Sequence, residues 1–460
     1  MKGLSKASGV LGVALVVASL TLSACSPGSL GTSTGGETTA PGATSAASSA
    51  AAPAEKVTIT FLVDNGAQTG PMAEALAAGF NAANPGITVK VDNSRPGGTD
   101  GDNYVKTQLA TGSMPDVFNY NSGALLGQID PGKNLVDLSN EPWVAKLADS
   151  FKAGVTVNGK VYGVPFGQSQ AGGILYNKKV FSDLGLKVPT TWDEFMANNA
   201  KIKAAGIAPV IQTYGGSDTW SSQLLILADF HNVAAADPQW ATKYTNNQAK
   251  FVDQPALKGF QRIQAIHDAG YMNKDYASAQ VTKGTQMLVD GTGAQYPMLT
   301  FLVPAYVALS KDAASNIGFF GQPGDDAASN GMTDWLPAGV YVPNTTTGAK
   351  LDAVKKFLNY IVTPDACKAL DTAGIPATGP YMVKGCTLPA DVPAAVQDVQ
   401  KYLDAGKDTP ALEFLSPVKG PNLEKICVQV GSGIIKADAA GKAYDQDVKA
   451  QAQQLGLPGW

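Results

Sequence analysis

The chain has 460 residues, 44% of them hydrophobic and 16% charged, with 34 Lys and Arg against 38 Asp and Glu. This mildly acidic balance argues against nucleic acid and against polyanionic partners. With only two histidines, His231 and His267, there is little material for an imidazole-based metal or catalytic centre.

The first element in chain order is a basic start, Lys2 and Lys6, followed by an apolar stretch from Val10 to Leu22 and by Leu22-Ser23-Ala24-Cys25. Basic, apolar and small-residue regions in that order form an export signal. The apolar core is shorter than the about 20 residues that span a bilayer. A Cys at the cut resembles the lipobox of bacterial lipoproteins. That resemblance implies a signal peptide over 1–24, lipid on Cys25, and a location on the outer face of the cell membrane. Ser26 to Ala54 are almost all Ser, Thr, Gly, Ala and Pro, with Glu37 the only charge. Such a segment buries too little to order itself, so 25–54 is expected to be a tether.

Roughly 400 residues follow, more than one small core accommodates, so two lobes are expected. Val57, Ile59, Phe61 and Val63 alternate as in a strand. Met72, Leu76 and Phe80 line one helix face after a first-turn Pro71, and Asn84-Pro85-Gly86 stops that helix. Ile87, Val89 and Val91 predict a second strand, Tyr104 to Ala110 a helix, and Asp116 to Tyr120 a third strand. This βαβαβ order implies a mainly parallel sheet covered by helices. Ligands in such sheets sit beyond the carboxyl ends of the strands, which nominates Asp64, Asn65, Tyr120 and Asn121. The segment from Asp92 to Asn103 lacks EF-hand spacing and is read as a solvated loop.

Asn158-Gly159 within Asn158 to Pro165 is a two-residue hairpin signal. Thr191 with Glu194 three residues on is a capping box. No G-x-S-x-G turn, phosphate loop, dinucleotide fingerprint or H-E-x-x-H is present. Trp143, Trp192 and Trp240 are assigned to packing or surface, and Arg262 to the surface. With Cys25 spent on lipid, Cys367, Cys386 and Cys427 allow one intramolecular bridge outside the cytoplasm. Cys367–Cys386 closes the shortest loop and is the expected pair, with Cys427 free and buried. The other two pairings remain open.

The run Gly159 to Phe195, containing NGKVYGVP, LYNKKVF and GLKVPTTWDEF, resembles the family-1 extracellular solute-binding proteins of carbohydrate ABC importers. GSMPDVF before it, and AQYPMLTF near 300 and the segment from Pro337 to Leu370 after it, stand in family order, so the resemblance spans roughly 57 to 375. It implies an α/β, type II periplasmic-binding-protein-like fold: two lobes, each a mainly parallel sheet flanked by helices, with the ligand cleft between them. Lobe one would hold 57–166 plus 318–360, and lobe two 167–317 plus 361–460. The chain would cross near Phe166, Ile317 and Tyr360.

The function implied is capture of a neutral mono- or oligosaccharide by lobe closure and delivery to ABC permease subunits, by a monomer with no cofactor, metal or catalytic residue. Sugar rings stack on aromatic faces and their hydroxyls bond to planar polar groups. Position in the family pattern adds Gln168, Gln170, Asp218, Trp220, Phe301, Asp334 and Trp335 to the binding set. A sugar-binding sensor or scaffold without a transporter is the alternative, and a glycoside hydrolase a more distant one.

Overall fold

The computed structural model describes residues 56–66 and 68–460. The expected signal peptide over 1–24, Cys25 and the expected tether over 25–54 lie outside these residues.

β1 (Val57–Asp64) is followed by the helix Thr69–Ala83, β2 (Ile87–Arg95), the helix Gly98–Thr111 and β3 (Val117–Tyr120). β2 and β3 flank β1, both parallel to it. Leu76 and Phe80 seal the Thr69–Ala83 helix onto this sheet. The expected loop from Asp92 is instead the end of β2 and the start of the next helix. β4 (Thr156–Val157) and β5 (Lys160–Val161) form the Asn158-Gly159 hairpin. Both turn residues have positive φ, 51° and 77°, the geometry that Asn-Gly adopts cheaply.

β6 (Gly163–Pro165) is an edge strand, and β12 (Gly339–Tyr341) inserts between it and β3, antiparallel to both. The first sheet thus runs β2-β1-β3-β12-β6. β7 (Gln170–Asn177) is the centre of the second sheet. Antiparallel to it run β9 (Gly293–Leu299), β10 (Ile317–Gly321) and β11 (Met332–Trp335). β8 (Ala208–Val210) joins β9, and β13 (Asp408–Pro410) joins β11, each in parallel. Neither sheet is therefore mainly parallel. Two of four pairings in the first and three of five in the second are antiparallel, because late strands return to sheets begun by the early ones.

The expected lobe boundaries need correction. β10 and β11 pair with β7 in the second sheet, so the return crossing lies at 336–338 rather than near Ile317. The helices Gly348–Ile361 and Pro364–Thr372, with Tyr381 to Val383, pack into the first core, so the last crossing lies beyond 383 rather than near Tyr360. The first crossing is tied to the second and to the segment before Tyr381: Phe166 N–H donates to Ala338 O at 2.8 Å, and Ser169 N–H to Pro380 O at 2.8 Å.

The Thr191 capping box is formed: its hydroxyl accepts from Glu194 N–H, and Glu194 accepts from the backbone of Thr190 and Thr191. Trp192 packs on Phe195 with ring centres 5.0 Å apart. Arg262 is a correction. It is 4% exposed and ion-paired with the buried Asp229, since the helix Leu257–Asp268 turns that face into the second lobe. Burial lowers its pKa to about 10. Cys367 and Cys386 form a disulfide across a separation of 19 residues, and Cys427 is a buried free thiol that burial keeps protonated.

Candidate ligand-binding cleft

The carboxyl ends of β1, β2 and β3 meet at one end of the first sheet, where Asp64, Arg95 and Tyr120 stand side by side. They form one wall of a cleft of about 540 Å³ between the two lobes. The second lobe contributes Trp220, Leu224, Leu299, Trp335 and Glu413. A smaller chamber of about 170 Å³ opens beside it, lined by Met72, Phe166, Gln168, Gln170, Phe301 and Thr378. Asp64, Asn119 and Ala338 line both, so the two are continuous.

The floor of the cleft is a fixed polar network. Arg95, 5% exposed, donates to Asn119 Oδ1 at 2.7 Å and to Asp64 Oδ2 at 3.3 Å. Asn119 Nδ2 in turn donates to the same Asp64 oxygen at 3.2 Å. Burial lowers the Arg95 pKa, and the Asp64 charge opposes that shift. Asp102, from the following helix, has its pKa raised by burial, against the pull of neighbouring Tyr120, Lys106, Lys419 and Arg95. The Tyr120 hydroxyl and Arg95 Nε are buried without a hydrogen-bond partner.

Charge in the larger chamber is nearly balanced. Arg95, Lys106 and Lys419 face Asp64, Asp102, Glu413 and Glu424. Arg95 is paired with Asp64, and Lys419 with Glu413. Trp220 stands 5.7 Å from Phe301, centre to centre, where the larger chamber meets the smaller. Aromatic side chains and planar polar groups thus line the cavity together.

Of the residues nominated from sequence, Asp64, Tyr120, Asn121, Trp220 and Trp335 line the larger chamber. Asp64 also lines the smaller, with Gln168, Gln170 and Phe301. The Gln168 side-chain oxygen accepts from Thr378 N–H at 3.0 Å, which holds that amide in place. Three nominated residues lie elsewhere. Asn65 is exposed outside the cleft, one residue past the sheet. Asp218 accepts from Val281 N–H at 2.8 Å and caps the helix Val281–Asp290. Asp334 sits in the strand interior, 8% exposed, where burial and the nearby Asp408 raise its pKa to about 7. Its alternation with Trp335 puts the two side chains on opposite faces of the strand, and the tryptophan has the cleft.

Arg95, Asn119, Asp102, Glu413 and Lys419 were not nominated. The strand-end rule would have reached Arg95 had β2 been extended to its observed end. Glu413 and Lys419 come from a C-terminal stretch without a local motif. The two histidines serve packing. His231 bonds to Thr409 and to Ser329 O and has a pKa lowered by burial, and His267 contacts Asp268.

Residues 64–367 match the family model described as bacterial extracellular solute-binding protein. The chain belongs to that family. The multiple sugar-binding protein of Streptococcus mutans is 28% identical over 317 residues, 66% of this chain and 70% of that protein. Among solved structures, a chitin oligosaccharide binding protein superposes with a TM-score of 0.74 at 24% identity, covering 87% of this chain and 99% of that one. RafE in complex with raffinose superposes with a TM-score of 0.68 at 23% identity, with the same coverage. At these identities the superpositions establish the fold: two sheet-containing lobes of the type II solute-binding class. Membership of the family makes this an extracellular solute-binding protein. Among the described residues, no helix is long and apolar enough to cross a membrane.

Proposed function

We propose that this solute-binding protein captures a neutral sugar in the interlobe cleft and delivers it to an ABC transporter permease. The observation that carries this is the cleft lining itself: Tyr120, Trp220, Phe301 and Trp335 together with Asp64, Asn119, Gln170 and Glu413. Aromatic faces suit the C–H faces of sugar rings, and the planar polar groups suit paired hydroxyls. The cations in the cleft are matched by carboxylates, which favours an uncharged ligand over an acidic or phosphorylated one. The Streptococcus relative is named for sugar binding, and two neighbours of the same fold for oligosaccharide or raffinose, which supports the class of ligand.

Binding would close the lobes about the crossing segments at 166–169 and 336–338 and the one beyond 383. The corrected lobes are 57–166 with 336–386, and 167–335 with 387–460. The ligand set is Asp64, Arg95, Asn119, Tyr120, Asn121, Gln168, Gln170, Trp220, Phe301 and Trp335. No reaction is assigned to the cleft, and the protein acts as a carrier rather than an enzyme. The lipobox-like Leu22 to Cys25 supports a lipid anchor on Cys25, and the protein would work as a monomer.

The test is a thermal-shift panel of pentoses, hexoses, di- and trisaccharides, polyols and amino acids on the purified chain. A ligand at a hundred times its Kd stabilises by about 2.7 kcal/mol. A shift confined to sugars supports the reading, and a shift confined to another solute class overturns it. Incubation with a glycoside panel should release no product. Labelling with a radioactive fatty acid should be lost in Cys25→Ala.

A further inference from the structure

On the cleft wall, a second-lobe segment that also touches the first lobe holds one aromatic ring in place. β13 runs parallel to β11, with Met332 opposite Asp408 and Asp334 opposite Pro410. Ala411 N–H then donates to Asp334 O at 2.9 Å. This register delivers the short turn of helix Leu412–Leu415 directly beside Trp335. Trp335 Nε1–H donates to Glu413 Oε1 at 2.8 Å, and Lys419 holds the other carboxylate oxygen. Both members of that ion pair are largely buried, 14% and 18% exposed. The Phe414 ring stands edge-on to Trp335 at 6.4 Å and packs against the cores of both lobes. At Gly123, in the first lobe, a Cβ would collide with Glu413 O and the Phe414 ring, so this close approach requires glycine.

We infer that Glu413 is a positioning residue for ligand capture: it fixes the Trp335 indole as a preset stacking face, on a segment that touches both lobes. The inference rests on the proposed carbohydrate reading for the identity of the ligand. A free indole would lose rotamer freedom at the moment of binding, and an indole already held by a carboxylate has lost it in advance. A carboxylate is a charge-assisted acceptor and hence a firm anchor. Lys419 balances its charge, so the anchor adds no net field to a site for a neutral solute.

The experiment is NMR of the 15N-labelled chain, reading indole N–H resonances with and without raffinose. The chain has six tryptophans, and Trp335→Phe assigns the relevant resonance by its loss. In Glu413→Ala, the Trp335 indole should shift and exchange with solvent about tenfold faster or more. Raffinose should bind that variant about tenfold more weakly. Glu413→Gln keeps an acceptor oxygen and should restore most of both effects. Unchanged exchange of the Trp335 indole in Glu413→Ala overturns the inference, as does equal raffinose affinity in that variant and the wild type. A wild-type chain that ignores raffinose counts against that sugar in the carbohydrate reading, and the exchange rate then decides the role of Glu413 by itself.

Discussion

Arg95 donates to Asn119 Oδ1 at 2.7 Å, and both side chains also reach the same oxygen of Asp64. The three residues come from the ends of three adjacent strands, so the floor of the cleft is held by the sheet and not by a loop. Removing the guanidinium leaves a half-buried carboxylate and a buried amide without their partner. Arg95→Met should lower stability by about 3 kcal/mol, read as a fall in the urea midpoint at unchanged slope. Arg95→Lys should not restore it, because one ammonium cannot reproduce the forked geometry.

Trp220 and Asp218 are two residues apart and should behave in opposite ways. Trp220→Ala removes a cleft aromatic and should weaken sugar binding about tenfold or more, with little effect on stability. Asp218→Ala removes a helix cap and should cost about 1 kcal/mol of stability while leaving Kd unchanged. Calorimetric titration and thermal melts of both variants separate the two roles.

Asp334 should make stability depend on pH. Its folded pKa is raised from the ordinary carboxylate value of 3.8 to about 7 by burial and by Asp408. Between those values the folded chain holds a proton that the unfolded chain has lost, so stability falls as pH rises through that window. Asp334→Asn removes this term. The variant should match the wild type near pH 4 and exceed it by roughly 2–4 kcal/mol at pH 8. Denaturation midpoints at the two pH values check this. His231 acts in the opposite sense. Its pKa is lowered by burial, so stability falls as pH drops below about 6.5, in wild type and variant alike.

The Cys367–Cys386 bridge closes a short loop within the first lobe. Closing a loop of that length restricts the unfolded chain by about 3 kcal/mol. Cys386→Ser, or reduction of the wild type, should lower stability by that order, and peptide mapping should show Cys427 unmodified in the native state because its thiol is fully buried.

Local order was legible in the sequence because its causes are local. Alternation over Val57 to Val63 predicts β1, Asn158-Gly159 forces its own turn, and Thr191 with Glu194 caps its own helix. The strand-end rule found Asp64 and Tyr120 because a parallel βαβ unit brings its carboxyl ends together whatever follows. Tertiary structure decided the rest. No local signal states that β12 would return to lie between β3 and β6, or that β10 and β11 would pair with β7 and move the lobe boundary by some twenty residues. Whether Asp334 or Trp335 faces the cleft depends on the partners of a four-residue strand, and adjacent residues take opposite faces. Glu413 reaches Trp335 across 78 positions, a contact fixed by the pairing of β13 with β11. Residue pattern determined the elements and the family, and long-range strand pairing determined which of their side chains share one cleft.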